Sequence, residues 1–546
     1  MSDEMKHECA VAMVVLRKAT VAAGDFGGTK LSLLLEKQHN RGQDGAGAAI
    51  LSANPAPGSP PYQVFRSASA TPLADVLSAV AKREASPRER IFLGHLRYAT
   101  FGKNDVAFCH PFVHEASELN HTLLLAGNFN LTNAAELFDD YRQHGSFPTS
   151  KADGYLITEL IAHELAGGRP LGEALSSTLA EADGAWTLCG MTGDGWAFAT
   201  RDPHGIRPGW YFIDDDVVVV ASERPAIQAA FDVPPEAVKE LPAGMALIVS
   251  PDGEVRLCGS QPDHTTRPCV FERIYFSRAN DADIHRERKA LGAALVPAIL
   301  KAANAPLGDI FFSYIPNSAR IAFHGLLERL FDEHGKIRFG EVAVKDAKFR
   351  TFIADAAARR EFYKHVYDVT YGLVRPGEDT LVVLDDSIVR GNTMKNAILP
   401  MLDRLGPKRI VIASSAPPIR YPDCYGIDMS TLGELVAFKA LVNLLGESAE
   451  DDLRRAMANG GANPIAELYA RFAEERHAAE IARLLTPPGM RAEVVVVYQT
   501  IDALHASCPG SSGDWYFTGD YPTPGGYKVL HKALANYLAR KTDRSY

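Results

Sequence analysis

The sequence has no run of about 18 consecutive apolar residues of the kind that crosses a membrane. Its opening string, M-S-D-E-M-K-H-E, is too acidic for a secretory signal, so a cytoplasmic protein is expected. Cysteine is scarce: Cys9, Cys109, Cys189, Cys258, Cys269, Cys424 and Cys508 are scattered and odd in number, which does not suit a disulfide framework. Basic charge is short as well, with 57 Lys and Arg against 67 Asp and Glu, a net charge of −10, and no long basic run. Nucleic acid is therefore not the expected main partner, and no membrane is, although local basic sites for a phosphorylated substrate remain open. What is present is the composition of a globular enzyme, 46% hydrophobic and 23% charged, with 33 prolines spread along the chain. At 546 residues the chain is too long for one ordinary core, and two or more domains are expected.

The most informative stretch is Thr380 to Thr393, T-L-V-V-L-D-D-S-I-V-R-G-N-T. Leu381 to Leu384, bounded in front by Pro376-Gly377, reads as a strand covered on both faces. Asp385 and Asp386 end it, a short polar loop with one glycine follows, and Met394 to Leu405 is compatible with a helix. Strand, loop and helix start at the carboxyl edge of a sheet offer free N–H groups and a helix dipole to a phosphate. The two acids repel phosphate oxygens, so they should face sugar hydroxyls or a Mg²⁺ ion. A bare V-V-L-D-D would equally suit an ordinary strand ending in a solvated turn.

The whole string resembles the phosphoribosyl pyrophosphate (PRPP) motif of the type I phosphoribosyltransferases. The resemblance implies that Asp385 and Asp386 meet the ribose hydroxyls and Mg²⁺, while Ser387, Ile388, Val389, Arg390, Gly391, Asn392 and Thr393 cradle the 5-phosphate.

In the first half, Cys9 heads a strand-like apolar run, where a lone cysteine is usually a small buried residue. Four motifs follow it in order: Gln38 to Gly47 (Q-H-N-R-G-Q-D-G-A-G), Gly94 to Thr100 (G-H-L-R-Y-A-T), Asn128 to Asn133 (N-F-N-L-T-N) and Arg201 to Pro208 (R-D-P-H-G-I-R-P). Together they resemble the class II, N-terminal-nucleophile glutamine amidotransferases. With the PRPP loop in the same chain, the resemblance is to the glutamine PRPP amidotransferase family.

That resemblance implies that Cys9 becomes the first residue after loss of a propeptide, Met1 to Glu8. An α-amine with a pKa of roughly 7.7–8.0 can take the thiol proton, so one residue supplies nucleophile and base. By motif position, Arg97 grips the α-carboxylate of glutamine with Thr100 beside it, and Asp153, in S-K-A-D-G-Y, holds the α-ammonium. Asn128 and the backbone N–H of Phe129 match the oxyanion-hole pair. The chain departs from the family pattern in three places: a histidine and a glycine usually flank the oxyanion asparagine, Asn40 is inserted into Q-H-R-G-Q, and Ala10 follows Cys9 where glycine is usual. A Phe129 donor requires a negative φ and adds bulk beside the substrate.

In the second half, Cys269 to Arg278 resembles the segment entering the transferase domain, and Ile284 to Gly292 continues it as a helix. Ile310 to Ile315 reads as a strand, followed by Pro316-Asn317-Ser318-Ala319. Ser318 keeps the hydroxyl that the resemblance places beside metal and pyrophosphate, while Asn317 replaces an acid. Lys345, Lys348 and Arg350, running into Thr351-Phe352-Ile353, resemble the basic flag loop that closes over PRPP. Some family members hold a [4Fe–4S] cluster through four cysteines. Of those positions only Cys269 is a thiol, with Asp423, Gly513 and Tyr516 at the others, so no cluster is expected. Glu467 to Leu485 reads as one long amphipathic helix and Val494 to Val497 as a late buried strand.

The resemblance implies an α/β chain: residues 9–260 an α/β/β/α glutamine amidotransferase domain, residues 261–505 a phosphoribosyltransferase domain on a mostly parallel sheet, residues 506–546 a tail. It implies that glutamine, water and PRPP become glutamate, pyrophosphate and 5-phosphoribosylamine, the opening step of de novo purine synthesis, in a Mg²⁺-dependent homodimer or homotetramer. The alternative is a paralogue with an impaired glutaminase that uses ammonia or another amine.

Overall fold

The structure, a computed structural model, describes residues 9–18, 25–53, 55, 61–98, 105–143, 145, 147–261, 264–345, 367–541 and 545. Met1 to Glu8, Thr100, Lys348 and Arg350 lie outside them.

The first half contains strands β1 (Ala10–Leu16), β2 (Gly45–Ser52), β3 (Tyr62–Ser67), β4 (Glu89–Arg97), β5 (Phe112–His114), β6 (Leu123–Leu131), β7 (Gly184–Thr192), β8 (Ala197–Arg201), β9 (Trp210–Ile213), β10 (Val217–Ala221), β11 (Lys239–Glu240), β12 (Met245–Val249) and β13 (Val255–Gly259). They form two antiparallel sheets, ordered β11-β9-β10-β1-β4-β2-β3 and β13-β12-β8-β7-β6-β5. Side-chain alternation explains the layering. Ala10, Ala12 and Val14 of β1 pack outward on Leu31, Leu34 and Leu35 of helix Phe26–Lys37. Val11, Met13 and Val15 point the other way, onto Leu124, Ala126 and Cys189 of the second sheet. The outer face of that sheet, including Leu123, Leu125 and Leu188, is covered by Ile157 and Ile161 of helix Asp153–Ala166 and Leu175 of helix Leu171–Ala180. The result is an α/β/β/α sandwich.

The second half contains β14 (Ile310–Tyr314), β15 (Arg338–Phe339), β16 (Ala343–Lys345), β17 (Tyr367–Val369), β18 (Thr380–Asp385), β19 (Arg409–Ser414) and β20 (Glu493–Tyr498). A parallel sheet runs β15-β14-β18-β19-β20, and β16 and β17 form a separate antiparallel pair. Leu381, Val383, Ile410 and Ile412 face one core, Val382, Leu384, Val411 and Ala413 the other, which is why this run reads as continuously apolar.

Two elements differ from expectation. The segment Glu467 to Leu485 is split into helices Ala466–Ala470 and Glu474–Leu485, because Ala473 turns to extended backbone at ψ 148°. The late strand is not fully buried: β20 is the sheet's last strand, and only Val496 along it is buried. The tail has a definite place. Trp515, Tyr516, Phe517, Tyr521 and helix Pro524–Leu538 build a further core with Phe271, Phe276, Ile419 and Phe438. Among the described residues no helix is long and apolar enough to cross a membrane.

Candidate functional site

Cys9 precedes β1, which lies between β10 and β4 in the first sheet. It shares the parity of Val11 and Met13 and so belongs to the face that looks at the second sheet. Its sulfur accepts the Tyr98 N–H at 3.3 Å. Arg97 closes β4 on the same face as Leu93 and His95; its guanidinium is buried and stands 5.8 Å from the Phe108 ring centre.

Asn128 approaches from the other sheet. It continues the row of Leu124 and Ala126 in β6, so its amide looks back toward the first sheet. Asn128 is 3% exposed, and its Nδ2 has no hydrogen-bond partner among the described residues. A buried amide left without an acceptor costs stability and is ready for a substrate oxygen.

Phe129 does not have a positive φ, so its N–H keeps ordinary strand geometry despite the side chain. The ring, expected from the sequence to add bulk beside the substrate, points away from the Asn128 side chain. It has the opposite parity to Asn128 and packs in the outer, helix-covered core near Gly154. Trp186 stands opposite Phe129 on β7 and directs its own N–H and C=O to Asp202, so the Phe129 N–H lies outside that ladder. Asp153 begins the helix Asp153–Ala166 and accepts the Gly154 N–H at 2.9 Å. Burial pushes its carboxyl up to about 6, against the backbone N–H groups of Gly154 and Leu131 that hold it down. Leu131 is in β6, so Asp153 is tied to the strand that carries Asn128. Thr100 cannot be placed, since it lies outside the described residues.

The inserted Asn40 has a defined use: its Nδ2 donates to Glu223 at 2.9 Å and to the Phe276 carbonyl at 3.3 Å. Arg41, fully buried, binds Glu223 at 2.7 Å and Glu272 at 2.5 and 3.1 Å. The R-D-P-H-G-I-R-P string is a self-tied loop, in which Asp202 accepts the N–H groups of His204, Ile206 and Arg207.

At the carboxyl end of β18, Asp386 is 6% exposed and Asp385 half-buried. The structure brings Ser318 onto Asp386: its hydroxyl donates to one carboxylate oxygen, and the Ser387 hydroxyl donates to the other at 3.0 Å. Burial pushes the Asp386 carboxyl up, against these hydrogen bonds and the positive charge of Arg288. Burial lowers Arg288 to about 10, and its guanidinium donates to the Arg273 and Ser277 carbonyls at 2.7 Å each. Arg288 had no assigned role in the sequence; only its place in the helix Ala282–Ala294 was legible.

Ile388 and Val389 are buried, leaving backbone groups as their polar contribution to the loop. The Arg390 side chain is turned to Glu434 at 2.7 Å and the Asp428 carbonyl at 3.0 Å. Gly391 adopts φ +78°, where a Cβ would be strained and would run into Leu485. Asn392 and Thr393 follow and lead into the helical turns Met394–Ile398 and Leu399–Asp403. Arg350 lies outside the described residues.

A Mg²⁺ ion fits this donor set in one way only. Among the described residues no group of three or more His, Cys, Asp or Glu could hold a metal alone. Two carboxylates and a hydroxyl suit a hard cation that takes its remaining oxygens from water and a polyphosphate. The cluster positions do not fit iron and sulfur. Tyr516 accepts the Phe271 N–H at 2.8 Å and donates to the Gly513 carbonyl at 3.0 Å, and Asp423 accepts Trp515 Nε1 at 2.8 Å. Of the four positions only Cys269 carries a thiol.

Comparison with known proteins points the same way. A glutamine amidotransferase domain pattern matches residues 110–229. The amidophosphoribosyltransferase of Methanocaldococcus jannaschii is 30% identical over 378 residues, 66% of this chain and 76% of that protein. Its Escherichia coli namesake is 30% identical over 426 residues, 73% of this chain and 78% of that protein. Among solved structures, the glutamine PRPP amidotransferase of B. subtilis complexed with ADP and GMP superposes with TM-score 0.68 at 25% identity, covering 94% of this chain and 97% of that one.

Proposed function

We infer function from the premise that this chain belongs to the amidophosphoribosyltransferases: it is a glutamine-dependent enzyme that converts PRPP, glutamine and water to 5-phosphoribosylamine, pyrophosphate and glutamate, the first step of de novo purine biosynthesis. The observation that carries this reading is the presence in one chain of Cys9 and an Asn128 amide on the two faces of one intersheet space, the amide without a partner among the described residues, and of the Asp385 to Thr393 loop at the carboxyl end of a parallel sheet.

In the glutaminase step, removal of Met1 to Glu8 frees the Cys9 α-amine, which takes the thiol proton. The thiolate attacks the side-chain amide carbon of glutamine. Negative charge on the tetrahedral oxygen is met by Asn128 Nδ2 and the Phe129 N–H. Arg97, with Thr100, binds the α-carboxylate and Asp153 the α-ammonium, whose charge restores ionisation to a carboxyl held near 6. The proton returns to the leaving nitrogen, ammonia departs, and water hydrolyses the thioester to glutamate.

In the transfer step, the ammonia lone pair attacks C1 of PRPP as the C1–pyrophosphate bond breaks, and the new amine loses a proton. Asp385 and Asp386 take the ribose hydroxyls and, with Ser318, hold Mg²⁺, which neutralises charge on the departing pyrophosphate when bound. The backbone of Ser387 to Thr393 cradles the 5-phosphate, and Arg350 closes over the pyrophosphate. The domains divide at residues 9–260, 261–505 and 506–546. The enzyme works in the cytoplasm as a homodimer or homotetramer.

The test is release of glutamate and pyrophosphate from PRPP, Mg²⁺ and glutamine, repeated with ammonium in place of glutamine. Glutamate that depends on PRPP and appears with pyrophosphate supports the reading. Pyrophosphate from ammonium alone would identify an ammonia-dependent transferase, and no pyrophosphate in either mixture would overturn the activity.

A further inference from the structure

Strand β6 outruns its neighbour. Phe112 pairs with Leu125, so continuing the register would set His110 opposite Gly127, but β5 begins only at Phe112. Pro111 has no N–H to give a ladder there. The backbone of Gly127 is instead satisfied by two imidazoles. Gly127 N–H donates to His110 Nδ1 at 3.2 Å, and its carbonyl pairs with His95 Nε2 at 3.0 Å. The two rings stack at 4.0 Å between centroids and 11° between planes. His95 is fully buried on β4 of the opposite sheet. His110 is wedged against β2, where a Cβ on Gly47 would overlap its carbonyl.

We propose that His95 and His110 are positioning residues for amide hydrolysis: as a stacked pair they hold both backbone groups of Gly127 and thereby aim the Asn128 amide and the Phe129 N–H at the oxyanion. Residues 127 and 129 of a strand turn their N–H groups to the same edge. Once Gly127 is held by rings rather than by a strand, that edge stays open at Phe129, whose N–H has no partner among the described residues. The chemistry needs both rings neutral, His110 with its Nδ1 lone pair toward Gly127 and His95 with its proton on Nε2. Burial, with Arg97 nearby, lowers His95 to about 3; burial, then His95, Arg97 and Arg66, lowers His110 well below its ordinary value.

The inference rests on the glutaminase reading, and the two fail differently. A wild-type enzyme that releases no glutamate from glutamine sinks the reading. Given an active wild type, His110→Leu and His95→Met should each lower kcat for glutamate release about 10²-fold, as expected for donors displaced by an ångström. KM for glutamine and ammonium-dependent pyrophosphate release should stay unchanged. His110→Asn keeps an acceptor at the Nδ1 position and His95→Gln keeps a donor at Nε2, so both should stay within about threefold of wild type. Wild-type kcat in the apolar variants, or a loss in the amide variants as deep as in the apolar ones, overturns the proposal. Should the apolar variants lose ammonium-dependent activity too, the amide variants decide, and failure of either to keep kcat overturns it.

Discussion

The guanidinium of Arg41 and the carboxylate of Glu272 form a two-pronged pair, at 3.1 and 2.5 Å, with Arg41 fully shielded from water. Arg41 follows the helix Phe26–Lys37 of the sandwich, whereas Glu272 lies in the Cys269 to Arg278 segment that leads into the parallel-sheet half. The pair is shared with Glu223 and with Ser277, whose carbonyl is held by Arg288. A continuous set of polar contacts thus runs from the Gln38 to Gly47 loop to the neighbourhood of Asp386.

Breaking that pair should cost far more than breaking a surface one. Arg41→Met leaves two buried carboxylates uncompensated, a loss of about 3–5 kcal/mol. Arg142→Ala, whose partner Asp139 is exposed, should cost less than about 1 kcal/mol. Urea denaturation of the two variants measures the difference.

Cys9→Ala should abolish glutamate release and leave pyrophosphate release from ammonium intact. Asn128→Ala should lower the glutamine-dependent kcat about 10²–10³-fold. Phe129→Gly should keep kcat within about tenfold, because the donor is backbone, while lowering stability by about 1 kcal/mol or more through lost packing and strand propensity. Steady-state kinetics with each nitrogen source, alongside thermal melts, separates these outcomes.

Asp153 sets a pH dependence. Its folded carboxyl titrates near 6 and an unfolded one near 4, so the fold binds the proton more tightly. Stability of the free protein should fall as pH rises through that window and level off above it. Glutamine needs the ionised form, so KM should rise as pH drops below about 6. Asp153→Asn should remove that rise and lift KM roughly 10- to 100-fold, the loss of a charge-assisted hydrogen bond worth about 1.5–3 kcal/mol. A KM profile from pH 5 to 8 checks both.

Asp385→Asn and Asp386→Asn should each depress pyrophosphate release at least about 10²-fold with either nitrogen source. Raising Mg²⁺ should recover part of the loss if the carboxylates act on the metal. Titration of the rate with Mg²⁺ reads this directly.

Much of this arrangement could be read in advance. Strand β18 was legible because both its faces are covered, which leaves an uninterrupted apolar run, and Cys9 just before β1, Arg97 on β4 and Asn128 on β6 have the parity that turns them into one intersheet space. The edge position of β20 was not, since Val494 to Val497 has the composition of a central strand and nothing local says that its outer side lacks a neighbour. The break before Glu474 was hidden for a similar reason: Arg471-Phe472-Ala473 contains no glycine or proline. His95 lay inside a quoted motif, yet its hold on Gly127 spans the two sheets, and the approach of Arg288 to Asp386 joins segments almost a hundred positions apart. Such contacts follow from the fold and leave no periodic trace.

The final helix also bears on how the molecule comes apart. Asp183, in the sandwich, accepts the Gly525 N–H at 2.9 Å and the Thr523 hydroxyl at 2.5 Å, at the start of helix Pro524–Leu538. The start of the last helix therefore adds a non-covalent clasp to the covalent link near Gly259. A protease cut in that link should leave the pieces held both by this clasp and by the buried Arg41–Glu272 pair, so the halves separate only when both let go.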